Sequence, residues 1–361
     1  MESPATYAEA IEAVHFNYWY RPARARANKT ELSFFFLCLH KKKVARLIAS
    51  HMARYHAITG DVIRRRILLG KKYRYIYAVN NIDRIIHYAA HKALSPMHSH
   101  MPPCLYAYIK GRGRISALRN PRHYVDAHIQ SIGDPRQRGL FVIRADIASY
   151  GESIDVRPSS PLWEKLKMQY EHCFNRALTE SEFRLIERLV RPEILGEEGY
   201  YCPLFGIADG LPIASLLLNL YCLDWDMYAE SIQGAHYIRY GDDMLLMHSR
   251  LDVINAAYGK LIEFMDNLGL SLNASKTALF YFNGAGKSYQ EIAGRYSFDY
   301  LGAAMTFHSG IQLTKAKTRL LLTLLDRRMR TVRQVTRTLT FKARMQYLID
   351  VTNKTISAQD R

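Results

Sequence analysis

The stretch His236-Tyr-Ile-Arg-Tyr-Gly-Asp-Asp-Met-Leu-Leu-Met247 sets two adjacent carboxylates, Asp242 and Asp243, between two apolar, β-prone runs. This pattern predicts a β-hairpin with the acids at its tip. Carboxylates inside an apolar run cost free energy unless a cation compensates them. Oxygen ligands of this kind suit a hard divalent ion, so the stretch indicates a metal site at the mouth of a sheet. An Asp-rich turn is the simpler alternative, because Gly-Asp is ordinary turn chemistry.

A second acid ends another β-prone run, in which Asp146 follows the apolar residues that begin at Phe141. If the two strands are neighbours, Asp146 and Asp242 converge at the strand ends. A pair of oxygen-liganded divalent ions held there suits an in-line phosphoryl displacement. The combination therefore favours nucleotidyl transfer.

Five segments resemble, in the family's own order, the motifs of reverse transcriptases. They are Asp146–Ile154, Gly206–Tyr221, Tyr240–Asp243, Leu268–Thr277 and Tyr300–Gly302. The first is similar to DxxxFFxSI, the second to GLPQGSPxSPxLxNxY and the third to the YxDD box. The fourth closely resembles LGLxLNxxKT, and the last resembles the primer-grip FLG. Each motif is weak alone, whereas the ordered set is specific.

Two upstream segments extend the resemblance towards Lys71. Asn81–Leu94 has helical periodicity, with Asn81 as a candidate cap, and resembles DRIVHxA in the fingers of bacterial reverse transcriptases. Tyr106–Ala117 resembles xYxKGRGxxxA. Basic side chains on a glycine-punctuated turn suit a triphosphate. The resemblance nominates four residues for the incoming nucleotide, of which the last two are second choices: Lys110, Arg112, Arg74 and Arg114. A basic hairpin tip that only touches backbone phosphate is the alternative.

The resemblance also implies roles within the motifs. Asp146 and Asp242 would be the principal metal ligands, with Asp243 supporting them and the Ile147 carbonyl completing the coordination. The implied ion is Mg²⁺, with Mn²⁺ as a substitute. Lys276 matches the lysine that can protonate the departing pyrophosphate, although an exposed loop lysine is an equally simple interpretation. Three further residues match substrate-binding positions: Tyr150, Gly210 and Asn219. For Asn219, a hydrogen bond within the core is the alternative.

The composition narrows the class of protein. The chain of 361 residues has a net charge of +17 and a pI of about 9.6, which indicates a polyanionic partner such as nucleic acid. Its five cysteines form no CxxC pair, which predicts neither disulfides nor a zinc site and favours a cytoplasmic location. The N-terminus has no signal-peptide pattern and no apolar run approaches a membrane span, so no membrane association is expected.

These patterns predict an α+β fold, and the resemblance implies a right-hand polymerase. We expect an N-terminal helical region over 1–60, fingers over 61–140, a ferredoxin-like palm with an antiparallel sheet and the YGDD site over 141–308, and a basic helical thumb over 309–361. In the last segment, apolar positions recur at helical spacing among many Lys and Arg residues. One face of the thumb would pack and the other would grip duplex phosphates; an interface with a second chain is the alternative.

Three departures from the family pattern bear on function. Gly151 stands where the family carries an aromatic sugar gate, so selection against ribonucleotides depends on whether Tyr150 substitutes. Asp209 replaces the glutamine that would contact the templating base or the nucleotide. Gly241 makes the box resemble the GDD of viral RNA-directed RNA polymerases as much as YxDD.

The sequence therefore predicts a Mg²⁺-dependent enzyme that makes DNA from dNTPs on an RNA template. The divergent motifs most resemble prokaryotic, defence-associated reverse transcriptases, related to retrons and abortive-infection enzymes, some of which work with a non-coding RNA. A homo-oligomer or a second polymerase subunit fits the same resemblance. The rival functions are an RNA-directed RNA polymerase and a catalytically idle nucleic-acid-binding scaffold.

Overall fold

The structure is a computed structural model that describes residues 3–19, 37–55, 62–69, 72–196, 198–207 and 211–314, together with Arg319 and Thr323. Most of the predicted thumb lies outside the described residues, as do Asp209 and Gly210. The side chain of Arg74 is also outside the description, although its backbone is within it.

Ten α-helices lie within the described ranges. They are Pro4–Trp19 (α1), Lys41–Tyr55 (α2), Asn81–Leu94 (α3), Arg114–Ser131 (α4), Tyr150–Ser153 (α5), Pro161–Phe174 (α6), Glu180–Val190 (α7), Ala214–Tyr221 (α8), Leu223–Ser231 (α9) and Leu251–Asn267 (α10). Short 3₁₀ turns occupy Ser95–His100 and Pro135–Gln137. None of these helices combines the length and the apolar character needed to cross a membrane.

The strands of the described ranges form three sheets. They are Val62–Leu69 (β1), Lys72–Ala78 (β2), Leu140–Asp146 (β3), Ile194–Gly196 (β4), Gly199–Tyr201 (β5), His236–Tyr240 (β6), Asp243–His248 (β7), Ala278–Phe282 (β8), Gly294–Arg295 (β9), Ser297–Tyr300 (β10), Ala303–Thr306 (β11) and Gly310–Leu313 (β12). The strand orders are β2-β1-β4-β5, β6-β7-β3-β8-β9 and β10-β11-β12.

The predicted hairpin is confirmed: β6 pairs with β7 in antiparallel register from His236↔Met247 to Tyr240↔Asp243. β3 and β8 also pair in antiparallel register. At one edge of this sheet the pairing is parallel, between Tyr281 of β8 and Gly294 of β9. The loop between these strands carries the chain back before β9 begins, which allows the parallel pairing.

Local capping signals in the sequence locate several helix ends. The Ser160 hydroxyl accepts a hydrogen bond from the Leu162 amide at the start of α6. The sequence Thr179-Glu-Ser-Glu182 predicts a capping box, and Thr179 and Glu182 form one at the start of α7. Asn81 is not the cap of α3. The preceding residue, Asn80, holds that place, and its side-chain oxygen accepts the Asp83 amide at 2.8 Å.

The sequence predicts a helix over 253–268, with Asp252 as its cap and Gly269 at its stop, and this start is wrong by two residues. Asp252 lies inside the first turn, because the helix begins at Leu251. The predicted stop is close to the observed one: the helix ends at Asn267, and Gly269 then takes a φ of +67°.

The chain divides into two compact units, each with a core of its own. The first comprises residues 1–110, 146–228 and 259–273, and the second comprises 111–145, 229–258 and 274–361. A buried cluster in the first unit joins α1, α2, α3 and α7; it includes Tyr7, Ile11, Ile48, Met52, Ile85 and Leu189. The sequence predicts that aromatic residues near the N-terminus pack in the core, and the burial of Tyr7 confirms this for that residue. In the second unit, aromatic rings pack beside the five-stranded sheet: Phe280, Phe282, Phe298 and Phe307.

Burial lowers the pKa of three histidines to about 4: His87, His98 and His236. His87 is fully buried in α3. Because its folded pKa lies below the ordinary value of 6.5, the unfolded chain binds more protons between pH 6.5 and 4. Stability must therefore fall as the pH is lowered through this window.

Replacing His87 by leucine should flatten this pH dependence. In the wild type, protonation of His87 in the unfolded chain lowers the free energy of unfolding between pH 6.5 and 4, by up to about 3 kcal/mol at pH 4. The variant has no imidazole at this position, so this loss is absent. Urea denaturation at pH 7, 5.5 and 4.5 would measure the free energy of unfolding of both proteins. Equal slopes for the two would show that His87 does not contribute to the acid sensitivity.

Candidate active site

The tip of the β6–β7 hairpin is a two-residue turn formed by Gly241 and Asp242. Gly241 has a φ of +67°, whereas Asp242 is not among the residues with positive φ, as in a turn of type II′. This geometry favours glycine at the first turn position and accounts for the Gly that distinguishes this box from other YxDD sequences. Asp242 is exposed at the tip, and Asp243 is half-buried as the first residue of β7.

The direction of β3 follows from its surroundings within the second unit. An open cavity is lined by Phe141, near the start of β3, and by Ser249–Asp252, just beyond the end of β7. His128 likewise lies beside both Gly139 and His248. Because the start of β3 is near the end of β7, these neighbouring strands run in opposite directions. The last residues of β3 and the first residues of β7 therefore lie at the same end of these two strands.

Asp146 is the last residue of β3, and its side chain is almost fully buried, at 3% exposure. The chain around it pairs with the fourth motif. Ala148 donates its amide to the Ser271 carbonyl at 2.8 Å, and Asn273 donates to the Asp146 carbonyl at 2.8 Å. These bonds flank an isolated bridge between Ile147 and Leu272. The Ile147 carbonyl takes no part in this bridge and faces away from it.

Buried Arg239 was not predicted as a site residue. Its side chain is 0% exposed in β6, and its guanidinium donates to the Gly241 carbonyl at 3.1 Å. It therefore supports the turn that carries Asp242. The signal in the sequence is a single basic residue within an otherwise apolar strand, which a hairpin pattern does not explain.

The substrate-binding residues predicted from the resemblance occupy different environments. Lys110 is exposed and Arg112 half-buried on the loop before α4; half-buried Arg114 begins that helix. Lys276 is exposed, two residues before β8. The backbone of Arg74 lies in β2.

Two of the predicted substrate residues are buried. The Tyr150 hydroxyl donates to the Leu218 carbonyl and lies 3.3 Å from the Cys222 Sγ atom. Asn219 is 1% exposed in α8, and its side-chain amide donates to the Ala107 carbonyl at 3.0 Å. This bond reaches from the second motif to the loop that carries Lys110. Asn219 thus fixes the loop of a predicted nucleotide-binding residue.

In the described part of the chain, no three His, Cys, Asp or Glu side chains form a ready-made metal cage. Asp146 ends β3, and Asp242 and Asp243 lie at the tip of the hairpin and at the start of β7. Carboxylate oxygens are ligands that a hard divalent cation accepts. All five cysteines are free thiols.

The chain resembles known proteins in sequence and in fold. Residues 69–305 match the family described as reverse transcriptase (RNA-dependent DNA polymerase). Apo telomerase from Candida tropicalis, truncated from its C-terminal domain, superposes with a TM-score of 0.53 at 10% identity, covering 78% of this chain and 66% of that one. Telomerase from Candida albicans, in complex with a fragment of telomeric RNA, gives a TM-score of 0.52 at 13% identity, covering 77% and 54%. No curated protein matches the chain.

The likeness to the telomerase structures confirms the predicted α+β, right-hand polymerase fold. The chain spans less than two thirds of the length of either telomerase chain. The family match covers more than half of the chain and contains all five motifs from Asp146 to Gly302. The chain belongs to the reverse transcriptase family.

Proposed function

We propose that this protein is a Mg²⁺-dependent reverse transcriptase, which copies an RNA template into DNA from dNTPs. The observation that carries the proposal is the position of the three acids. Asp146 ends β3, while Asp242 and Asp243 lie at the turn before β7 and at its first residue, and β3 and β7 are antiparallel neighbours. In a member of the reverse transcriptase family, carboxylates at these strand ends suit two-metal nucleotidyl transfer.

The protein's own groups would share the work as follows. The Asp146 and Asp242 carboxylates bind divalent ions, Asp243 supports them and the Ile147 carbonyl supplies a further oxygen. When bound, Mg²⁺, or Mn²⁺ in its place, supplies Lewis-acid stabilisation of phosphate charge. Lys276, being exposed, donates a proton to the departing pyrophosphate.

Other residues position the substrates. Lys110 and Arg112 bind the triphosphate of the incoming nucleotide, with Arg74 and Arg114 in second place. Gly210 allows a close approach of the backbone to the base pair, and Asn219 acts by holding the loop of Lys110. Under this proposal residues 61–140 are the fingers, 141–308 the palm and 309–361 a thumb that grips the duplex, beside an N-terminal helical region over 1–60.

We further propose the biological setting that the divergent motifs favour: a prokaryotic antiviral defence system, in the cytoplasm, with a dedicated non-coding RNA. The net charge of +17 supports a nucleic-acid partner. A homo-oligomer or a second polymerase subunit belongs to the same proposal. An RNA-directed RNA polymerase and an idle scaffold are the rival functions, of which the intact set of three acids disfavours the second.

Sequencing the nucleic acid that co-purifies with the wild type and with an Asp242→Ala, Asp243→Ala protein tests the proposal. A discrete RNA in both preparations, with new DNA only in the wild type, is the expected result. The DNA sequence would then reveal what is templated. Absence of DNA in both, even after addition of Mg²⁺ and dNTPs, would contradict an enzymatic function. Incorporation of NTPs in preference to dNTPs would favour the RNA polymerase.

Sugar selectivity gives a separate prediction at Gly151, where the family has an aromatic residue. Tyr150 cannot act as the gate while its buried hydroxyl binds the Leu218 carbonyl, so we expect the wild type to accept rNTPs readily. Gly151 lies in α5 and is not among the glycines with positive φ, so its backbone conformation suits a residue with a side chain. Gly151→Phe should raise the ratio of kcat/KM for dNTPs over NTPs by about 10- to 200-fold through a steric clash with the 2′-hydroxyl. An unchanged ratio in an active variant would contradict this.

A further inference from the structure

Tyr108 has a backbone conformation that its side chain does not favour. Its φ is +65°, in the left-handed region, where a residue with a Cβ atom is strained and where glycine or asparagine is usual. Its ring is nevertheless 55% exposed, so burial of the ring in the core does not explain why tyrosine occupies the position. Strained residues of this kind concentrate at ligand sites, where surrounding structure holds them.

The surroundings of Tyr108 do hold it. Its neighbours Ala107 and Ile109 are buried, at 2% and 7% exposure, and so anchor the loop on both sides. The Asn219 side chain, itself 1% exposed, donates to the Ala107 carbonyl at 3.0 Å. A buried amide from α8 is therefore used to fix the peptide immediately before the strained residue.

The loop presents an aromatic ring beside a cation. Lys110 follows Tyr108 by two residues and is exposed. An exposed aromatic ring provides a stacking surface for any nucleobase. An exposed ammonium group two residues along the chain suits the phosphate attached to that base. The two side chains together have the chemistry that recognises one unpaired nucleotide.

We propose that Tyr108 is a base-stacking residue that binds a nucleotide together with Lys110. The nucleotide belongs either to the bound RNA strand or to the incoming dNTP, since both carry a base and a phosphate. The inference rests on the proposed function only in taking nucleic acid as the partner. It assigns Tyr108, the tyrosine of the segment that resembles xYxKGRGxxxA, to substrate binding.

Tyr108→Gly separates this role from a structural one. Glycine relieves the backbone strain, so the melting temperature should stay the same or rise, while loss of the ring should weaken binding. For a labelled single-stranded RNA 20-mer in Mg²⁺-free buffer, fluorescence anisotropy should show a Kd raised by about 5- to 100-fold. Tyr108→Phe keeps the stacking face and should stay within about twofold of the wild type.

A second measurement identifies the source of the nucleotide. A raised KM for dNTPs on a primed RNA template, with the RNA Kd unchanged, places the incoming nucleotide on Tyr108; a raised RNA Kd places the strand there. Tyr200→Ala is the matched control, because Tyr200 is 59% exposed in a stretch without Lys or Arg from 192 to 238. It should change neither constant.

The remaining outcomes overturn the inference. A lower melting temperature of Tyr108→Gly would mean that the tyrosine is structural, and unchanged Kd and KM would mean that it binds no nucleotide. If the wild type binds RNA but makes no DNA, the proposed function fails, and the RNA Kd alone then decides the role of Tyr108. If the wild type binds neither RNA nor dNTPs, both fail.

Discussion

Asp242→Asn and Asp146→Asn should each lower the rate of DNA synthesis at least about 1,000-fold, equivalent to about 4 kcal/mol of transition-state stabilisation. Asparagine keeps the shape of aspartate but removes the charge that attracts a divalent ion. The fold should survive, because Asp242 is exposed at a turn and Asp146 is replaced by a group of the same size at the end of β3. Primer extension with radiolabelled dNTPs, across a range of Mg²⁺ concentrations, measures the effect.

Asp252→Asn is the matched control. Asp252 is an exposed acid on α10, close to the same hairpin in sequence, and pairs with Arg250. Its loss should change the rate by less than about twofold, as surface ion pairs contribute little. Melting temperatures and RNA affinities of all three variants should match the wild type. Substantial synthesis by a folded Asp242→Asn protein would show that the acids only form a turn, and the scaffold interpretation would then lead.

Local patterns predicted local structure well. The two-residue turn at Gly241 and Asp242 follows from β-prone runs around a Gly-Asp pair, and the caps at Ser160 and Thr179 follow from side-chain chemistry within one helical turn. The misplaced cap at Asn81 has the same origin, since two adjacent asparagines carry identical signals. Only the structure distinguishes them, because the Asp83 amide donates a hydrogen bond to the side chain of Asn80.

Long-range pairing could not be predicted in the same way. That β3 lies between β7 and β8 depends on packing across the whole sheet, and no short segment encodes it. The pairing of Ile147 with Leu272 links two motifs that are 125 positions apart in sequence (272 − 147). The residue pattern alone did not indicate that these segments meet.

The direction in which a side chain points also could not be predicted from the sequence. A motif places Tyr150 and Asn219 at substrate positions but does not reveal which way they point. In the structure both are buried and bonded to backbone carbonyls, of Leu218 and Ala107 respectively. Their contribution to function is therefore argued through the backbone they hold. Arg239 is a similar case, because its burial and its bond to the Gly241 carbonyl are visible only in the structure.

Buried Arg239 is a costly feature that needs an explanation. A guanidinium removed from water loses several kcal/mol of solvation unless partners compensate it. One compensating bond runs to the carbonyl of Gly241, inside the turn that carries the acids. Its positive charge also lies on the strand next to Asp243, which pairs with Tyr240 one position along. We therefore interpret Arg239 as a positioning residue that fixes the hairpin tip through this bond.

Arg239→Met should lower kcat by about 10- to 100-fold, because the turn loses its support while the nucleotide-binding groups are untouched. The KM for dNTPs should change little, and the Mg²⁺ concentration for half-maximal rate should rise. The free energy of unfolding should fall by about 1–3 kcal/mol, because the Gly241 carbonyl loses its donor. Assays at low temperature, with circular dichroism to verify folding, keep the two effects apart.

Arg239→Lys retains the charge and should recover part of kcat and of the Mg²⁺ response, which a purely space-filling role does not predict. A folded Arg239→Met protein with wild-type kcat and Mg²⁺ dependence would show that the arginine stabilises the sheet without shaping the site.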